Sequence, residues 1–219
     1  MFYKSLLYFD DAKNLFVKTI GIFLDQDMQD LLFYLSIGWE HIISLDALDH
    51  QLFIAALAAL YLLKDWKQVL ILITAFTIGH SLTLVLSVLD WIRFPDHWIE
   101  FLIPCTIWIT AASNLLQKEE RTNRIQLNYF FALLFGLIHG MGFANTIRFM
   151  LAKDQHIATG LFGFNVGLEI GQIVVVTVIL LLANTIVNQF KIQRKSWVIF
   201  LSAGIMALAI QMSIERIPF

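Results

Sequence analysis

Residues 38–53 read GWEHIISLDALDHQLF. Within ten positions, from His41 to His50, the stretch holds two histidines and two carboxylates, Asp46 and Asp49. It then runs without a break into the apolar segment 52–63. Imidazole and carboxylate groups at the mouth of a membrane helix are expensive to place, so their presence there points to function.

The rest of the chain supplies the membrane. Of 219 residues, 58% are hydrophobic and only 15% are charged, and the mean hydropathy is +0.73. Ordinary soluble domains carry about 25% charged residues, so the composition is that of an all-α polytopic membrane protein whose first partner is the lipid bilayer. A net charge of −2 gives no reason to expect nucleic acid. The lone cysteine, Cys105, excludes an intrachain disulfide and a thiolate metal cage. The N-terminus does not read as a cleavable signal, because Asp10, Asp11, Lys13 and Lys18 interrupt it, and insertion is expected to rely on the spans themselves.

Six spans are expected, at about 47–63, 68–90, 98–116, 128–149, 160–187 and 197–213, each long enough for ~30 Å of hydrocarbon. Residues 1–27 read as an amphipathic interfacial segment. The segment 28–45 meets Glu40 and His41 after half a crossing, so it reads as interfacial or re-entrant, and the bundle has seven spans if it crosses. One transmembrane domain over 28–219 follows, since no second domain, repeat or linker is visible.

Basic residues orient the bundle. Lys64, Lys67, Lys118, Arg121, Arg124, Lys191, Arg194 and Lys195 fall in three loops on one side, against Arg93, Arg148, Lys153 and Arg216 on the other. The positive-inside rule puts the first group in the cytoplasm, with the opposite face outside. In that orientation the six histidines lie in the outer half. His80, His139 and Glu169 sit roughly 14–16 Å below the outer surface at 1.5 Å per residue. Asp49 and His50 are shallower.

Two neighbourhoods reinforce these positions. In TAFTIGHSLTL (74–84) and beyond it, Thr77, His80, Thr83 and Ser87 share one helical face. In FNVGLEIGQ (164–172), Asn165, Glu169 and Gln172 share a face beside a stripe of Gly163, Gly167 and Gly171. Small residues at that spacing let helices approach closely and are expected to bring Glu169 toward its partners. Gly136 and Gly140 flank His139 in FGLIHGMGFA (135–144) in the same way. Any single buried histidine is explained as well by a hydrogen bond between helices. His97 and His156 read as solvated loop residues, and Glu40, Asp46 and Glu100 as interfacial charges. Unexplained by packing is the convergence of several histidines and carboxylates from different segments at one depth. Imidazole plus carboxylate without thiolate suits Ni²⁺, Zn²⁺, Co²⁺, Cu²⁺ or Fe²⁺.

In order and spacing, GWEHIISLDALDHQLF, TAFTIGHSLTL, FGLIHGMGFA and FNVGLEIGQ resemble the HupE/UreJ family over about residues 37–185. These membrane proteins are found beside hydrogenase and urease genes and are proposed to be nickel permeases or metal-handling accessories. The resemblance puts the family's His…Asp-His pattern on His41, Asp49 and His50. Its later histidines fall on His80 and His139, and its Asn…Glu…Gln helix on Asn165, Glu169 and Gln172. Ser113–Asn114 stands where the family often has an acidic residue before Asn-Leu.

The leading expectation is a transition-metal permease or delivery protein of a bacterial inner membrane, not an enzyme. Its metal site would comprise His41, Asp49, His50, His80, His139 and Glu169, facing the periplasm or outside. Asn165, Gln172, Thr77 and Ser81 would support it, Asn165 and Gln172 by orienting Glu169. The alternative is an intramembrane metallohydrolase with Glu169 or Asp49 as general base. A metal-stabilised structural or sensing module is the third reading. The partner is the metal ion, and a homo-oligomer is compatible with the sequence.

Overall fold

The computed structural model describes residues 24–116, 125–151 and 157–218. The first 23 residues of the expected amphipathic segment lie outside these ranges. So do the loop 117–124 with Lys118, Arg121 and Arg124, and the loop 153–156 with Lys153 and His156. Among the described residues there are only helices. They are α1 (Leu24–Ile43), α2 (Leu48–Ala58), α3 (Trp66–Val88), α4 (Asp96–Leu116), α5 (Ile125–Leu151), α6 (Ile157–Asn184) and α7 (Arg194–Glu215).

The expected span over 47–63 is not a crossing helix. α2 has eleven residues, about 16 Å of rise, half of what a bilayer demands. It follows α1 across a 61° bend, and the two form one broken span or re-entrant loop. The break has a local cause: Ser44 adopts an extended conformation, which ends α1, and the Gln51 amide reaches back to the carbonyls of Ile42, Ile43 and Ser44 at 2.9–3.2 Å. At the end of α1 the Ile42 and Ile43 carbonyls lie past the last helical donors, and Gln51 supplies one, while Ser44 also accepts from the Ala47 amide at 3.1 Å. α2 is buried at His50, Leu52, Phe53, Ile54, Ala56, Leu57 and Ala58, around most of its circumference. A helix that short is tolerated because protein encloses most of it.

Among the described residues four helices are long and apolar enough to cross a bilayer, or five if the α1–α2 pair counts as one. The four are the stretch Leu63–Val88 containing α3, then α4, α6 with its π-turn to Gln189, and α7. α5 has 27 residues, with a shorter apolar part at Asn128–Ala144. Four or five crossings are therefore accounted for among the described residues, and the six expected are not confirmed. Composition misleads at 47–63 because an interior helix and a spanning helix are equally apolar.

α3 ends in a tight reversal. The Trp91 amide bonds the Leu86 carbonyl at 2.9 Å and the Asp90 amide bonds Ser87 at 3.1 Å, with Asp90 left-handed at φ 63°. Asp90 also accepts from Arg93, whose guanidinium holds the carboxyl below the usual carboxylate range. At the opposite end Arg194 donates to the Leu60 carbonyl, Asn114 to Ala56 at 2.7 Å and Asn128 to the Tyr61 hydroxyl at 3.3 Å. The segments expected to share the basic side do meet there, with Lys64 and Lys67 on the adjoining turn.

Glycine decides how closely the helices approach. A Cβ at Gly136 would stand 2.1 Å from the Phe76 carbonyl oxygen, and one at Gly79 2.2 Å from that of Leu133, so α3 and α5 touch backbone to backbone. A Cβ at Gly167 would lie 2.0 Å from the Leu35 oxygen and one at Gly38 2.0 Å from the Phe164 oxygen. The glycine stripe of α6 therefore seats α1, the helix that carries His41. One core, from Tyr34 and Ile42 on α1 to Ile205 and Ala209 on α7, runs through all seven helices.

Candidate metal centre

Four histidines from four helices converge inside the bundle: His41 from the last turn of α1, His50 from the first turn of α2, His80 from α3 and His139 from α5. Each of His41, His50 and His80 offers a ring nitrogen within 4.8 Å of the other two. The His139 ring lies 5.2 Å from that of His50, centroid to centroid. His80 and His139 are almost wholly buried, at 0% and 1% exposure.

The hydrogen bonding around them is incomplete. His41 Nε2, His50 Nε2, both nitrogens of His80 and His139 Nε2 are buried without a hydrogen-bond partner. An unsatisfied buried polar atom costs roughly 1–3 kcal/mol, so five at one place mark where a ligand would be held. One nitrogen has a partner: His139 Nδ1 lies 2.9 Å from the Phe135 carbonyl. A carbonyl only accepts, so Nδ1 carries the proton and the buried Nε2 is left with a free lone pair. This is how a metal-ligating histidine is commonly held.

Phenylalanine encloses the imidazoles. Phe143 stands 4.1 Å from His41 and 5.1 Å from Phe164, which in turn stacks at 6.2 Å on His80. Phe53, Phe76 and Phe135 form a second layer, with Phe53 5.0 Å from Phe76 and 5.7 Å from Phe135. Each of these three sits one helical turn from a histidine, toward the basic end: Phe53 after His50, Phe76 before His80, Phe135 before His139. The histidine layer is thus closed on that side by aromatic rings. On the other side lies a cavity of about 400 Å³ whose lining includes His41, His50, His139, Asp46, Asp49, Glu100 and Arg216.

The two carboxylates expected at the ion, Glu169 and Asp49, are not among the grouped ligand atoms, which come from His41, His50 and His80. Glu169 accepts from the Thr74 hydroxyl at 2.9 Å, beside an exposed stretch of α3, and does not join the histidine group. Asp49 forms an ion pair with Arg216 at 2.7 Å. Asn165 and Gln172 do not orient Glu169 either: Asn165 accepts from Ser81 at 2.6 Å and Gln172 from Thr77 at 2.8 Å. With Thr74–Glu169 these contacts form a three-rung ladder between α3 and α6. The shared face of Asn165, Glu169 and Gln172 was legible in the sequence, but it meets the hydroxyls of α3 and not the histidines. Of the α3 stripe, Thr77, His80, Thr83 and Ser87 are all buried as the periodicity implies.

Three contributors went unnoticed in the sequence. Phe143 and Phe164 lie inside quoted motifs, but aromatic residues are too frequent in a membrane chain to stand out. Arg216 lies 167 positions from Asp49, and no local spacing could have joined them.

No curated protein and no solved structure matches the chain. A family model does, over residues 18–216, under the description HupE / UreJ protein. With nearly the whole chain covered by that match, this protein belongs to the HupE/UreJ family.

Proposed function

We propose that the chain is a metal-handling membrane protein, a permease or delivery protein, that takes a divalent transition-metal ion of the Ni²⁺ kind into the His41–His50–His80 cluster. His139 is the adjacent fourth ligand. The observation that carries this reading is the set of unpartnered, buried imidazole nitrogens contributed by four helices. A borderline divalent ion satisfies such nitrogens directly, whereas a structural role for the histidines would have left them hydrogen-bonded. The acidic cavity is the entrance, since Asp46, Asp49 and Glu100 line it and raise the local cation concentration. In the membrane, the end bearing Lys64, Lys67, Arg194 and Lys195 is cytoplasmic and the cavity opens to the periplasm or outside. Residues 28–219 act as one transmembrane domain. Passage toward the cytoplasmic end requires the Phe53–Phe76–Phe135 layer to move.

The hydrolase reading needs a carboxylate base beside the ion. Glu169 is on Thr74 and Asp49 on Arg216, so no observation favours it.

The test is metal analysis of the purified full chain after Ni²⁺ loading, with His80→Ala beside wild type. Wild type should hold about one ion per chain. His80→Ala should lose most of it while keeping its helical circular dichroism. Equal occupancy in the two proteins would remove the cluster as the site.

A further inference from the structure

Asp49 adjoins His50 in sequence and lines the same cavity as His41, His50 and His139. Its carboxylate nevertheless faces Arg216, whose Nη1 donates to Oδ2 at 2.7 Å. The side chains are 15% and 33% exposed, so the pair is half-withdrawn from water and is not a loose surface contact. Among the described residues that line the cavity, Arg216 is the one Lys or Arg, against three carboxylates. It stands just past the last residue of α7, at φ −109° and ψ 18°, with its amide still bonded to the Met212 carbonyl at 3.2 Å. Swinging its side chain away therefore unwinds no helix.

We infer that Arg216 is a tethered counter-cation which holds Asp49 until an incoming divalent ion displaces it. Entry to the histidine cluster is then an exchange of cations at Asp49. The inference rests on the metal reading of that cluster and deepens it. The chemistry decides what can pass. A carboxylate so largely buried needs a cation beside it, because an unpaired charge at that depth is strongly unfavourable. The guanidinium supplies one positive charge in a planar fork that matches the carboxylate. A monovalent ion offers no more charge and must shed its hydration for no gain. A divalent transition ion offers twice the charge and, one residue further on, the waiting nitrogen of His50. Arg216 is thus a specificity-determining residue at the entrance: it raises the threshold for every cation and is overcome by divalent ones.

The experiment uses the full chain in detergent micelles and Ni²⁺ alone, titrated against a competing chelator dye. Arg216→Gln removes the competing cation and should bind Ni²⁺ about tenfold more tightly, the size that a close, half-buried charge pair carries. Arg216→Lys keeps the charge but not the fork and should fall between wild type and Arg216→Gln. In an Asp49→Asn background, Arg216→Gln should change affinity by less than about twofold, because no carboxylate remains to be released. Affinity in Arg216→Gln equal to or weaker than wild type overturns the inference and leaves the metal site standing. A full tenfold gain in the Asp49→Asn background also overturns it, since Arg216 would then act as a distant charge and not through Asp49. Should Arg216→Gln lose its helical signal, Arg216→Lys decides alone, and affinity equal to wild type refutes the exchange. A folded wild-type protein that binds no Ni²⁺ defeats the metal reading, and this inference with it.

Discussion

Gly38→Ala is a small change with a large consequence at the histidine cluster. The added methyl would start 2.0 Å from the Phe164 carbonyl oxygen and 2.9 Å from the Leu168 amide nitrogen. Real Cβ contacts essentially never fall under 3.0 Å, so α1 must retreat from α6 by about 1 Å at this point. The obstructing atoms are backbone, and no side chain can rotate away to relieve them. Overpacking of this kind costs roughly 1–3 kcal/mol. His41 lies three residues along the same helix, so its imidazole retreats with the backbone. The three ring nitrogens lie within 4.8 Å of one another, and ligand bonds to such ions are near 2 Å, so the cluster has little slack. A further 1 Å leaves His41 out of reach unless the helix deforms. The expected outcome is at least a tenfold loss of Ni²⁺ affinity together with a fall of several degrees in the unfolding midpoint, followed by circular dichroism in detergent. Gly204→Ala is the control, because nothing lies within 4 Å of its added methyl. There the better helix propensity of alanine should leave the midpoint unchanged or slightly raised. If Gly38→Ala binds Ni²⁺ and unfolds as wild type does, the close approach of α1 to α6 is not what positions His41.

Glu169→Gln should keep full Ni²⁺ occupancy by metal analysis, since its amide oxygen can still accept from Thr74; loss of metal would return Glu169 to the ion. Phe76→Leu, in the layer between the histidines and the basic end, should cost about 1 kcal/mol and speed Ni²⁺ passage into proteoliposomes. An unchanged rate would mean that the ring layer is not the barrier. In a Cys105→Ser background, Lys67→Cys should resist an impermeant thiol reagent in intact cells while His97→Cys reacts, and the reverse pattern would invert the orientation.

Membrane character, the identity of the four histidines and the polar face of α3 were all legible in the chain itself, because each depends on local composition or on one helical period. Hydropathy reports that a segment avoids water, and the 3.6-residue repeat reports which side chains share a face. Both kinds of information survive in a linear sequence. The glycines of α6 could likewise be read as a site of close approach, but not the helix they would meet.

What only tertiary structure decided is which apolar segments face lipid and which face protein, and which charges find each other. Residues 48–58 look like the start of a span, yet Ser44 and Gln51 turn them into a short helix enclosed by the bundle. Glu169 has the periodicity of an inward residue, but the α3 hydroxyls capture the face it shares with Asn165 and Gln172. Asp49 has the spacing of a ligand, while its partner Arg216 arrives from the far end of the chain. The cost of a buried charge or an unpaired donor depends on all of its neighbours at once, and those neighbours come together only when the helices pack.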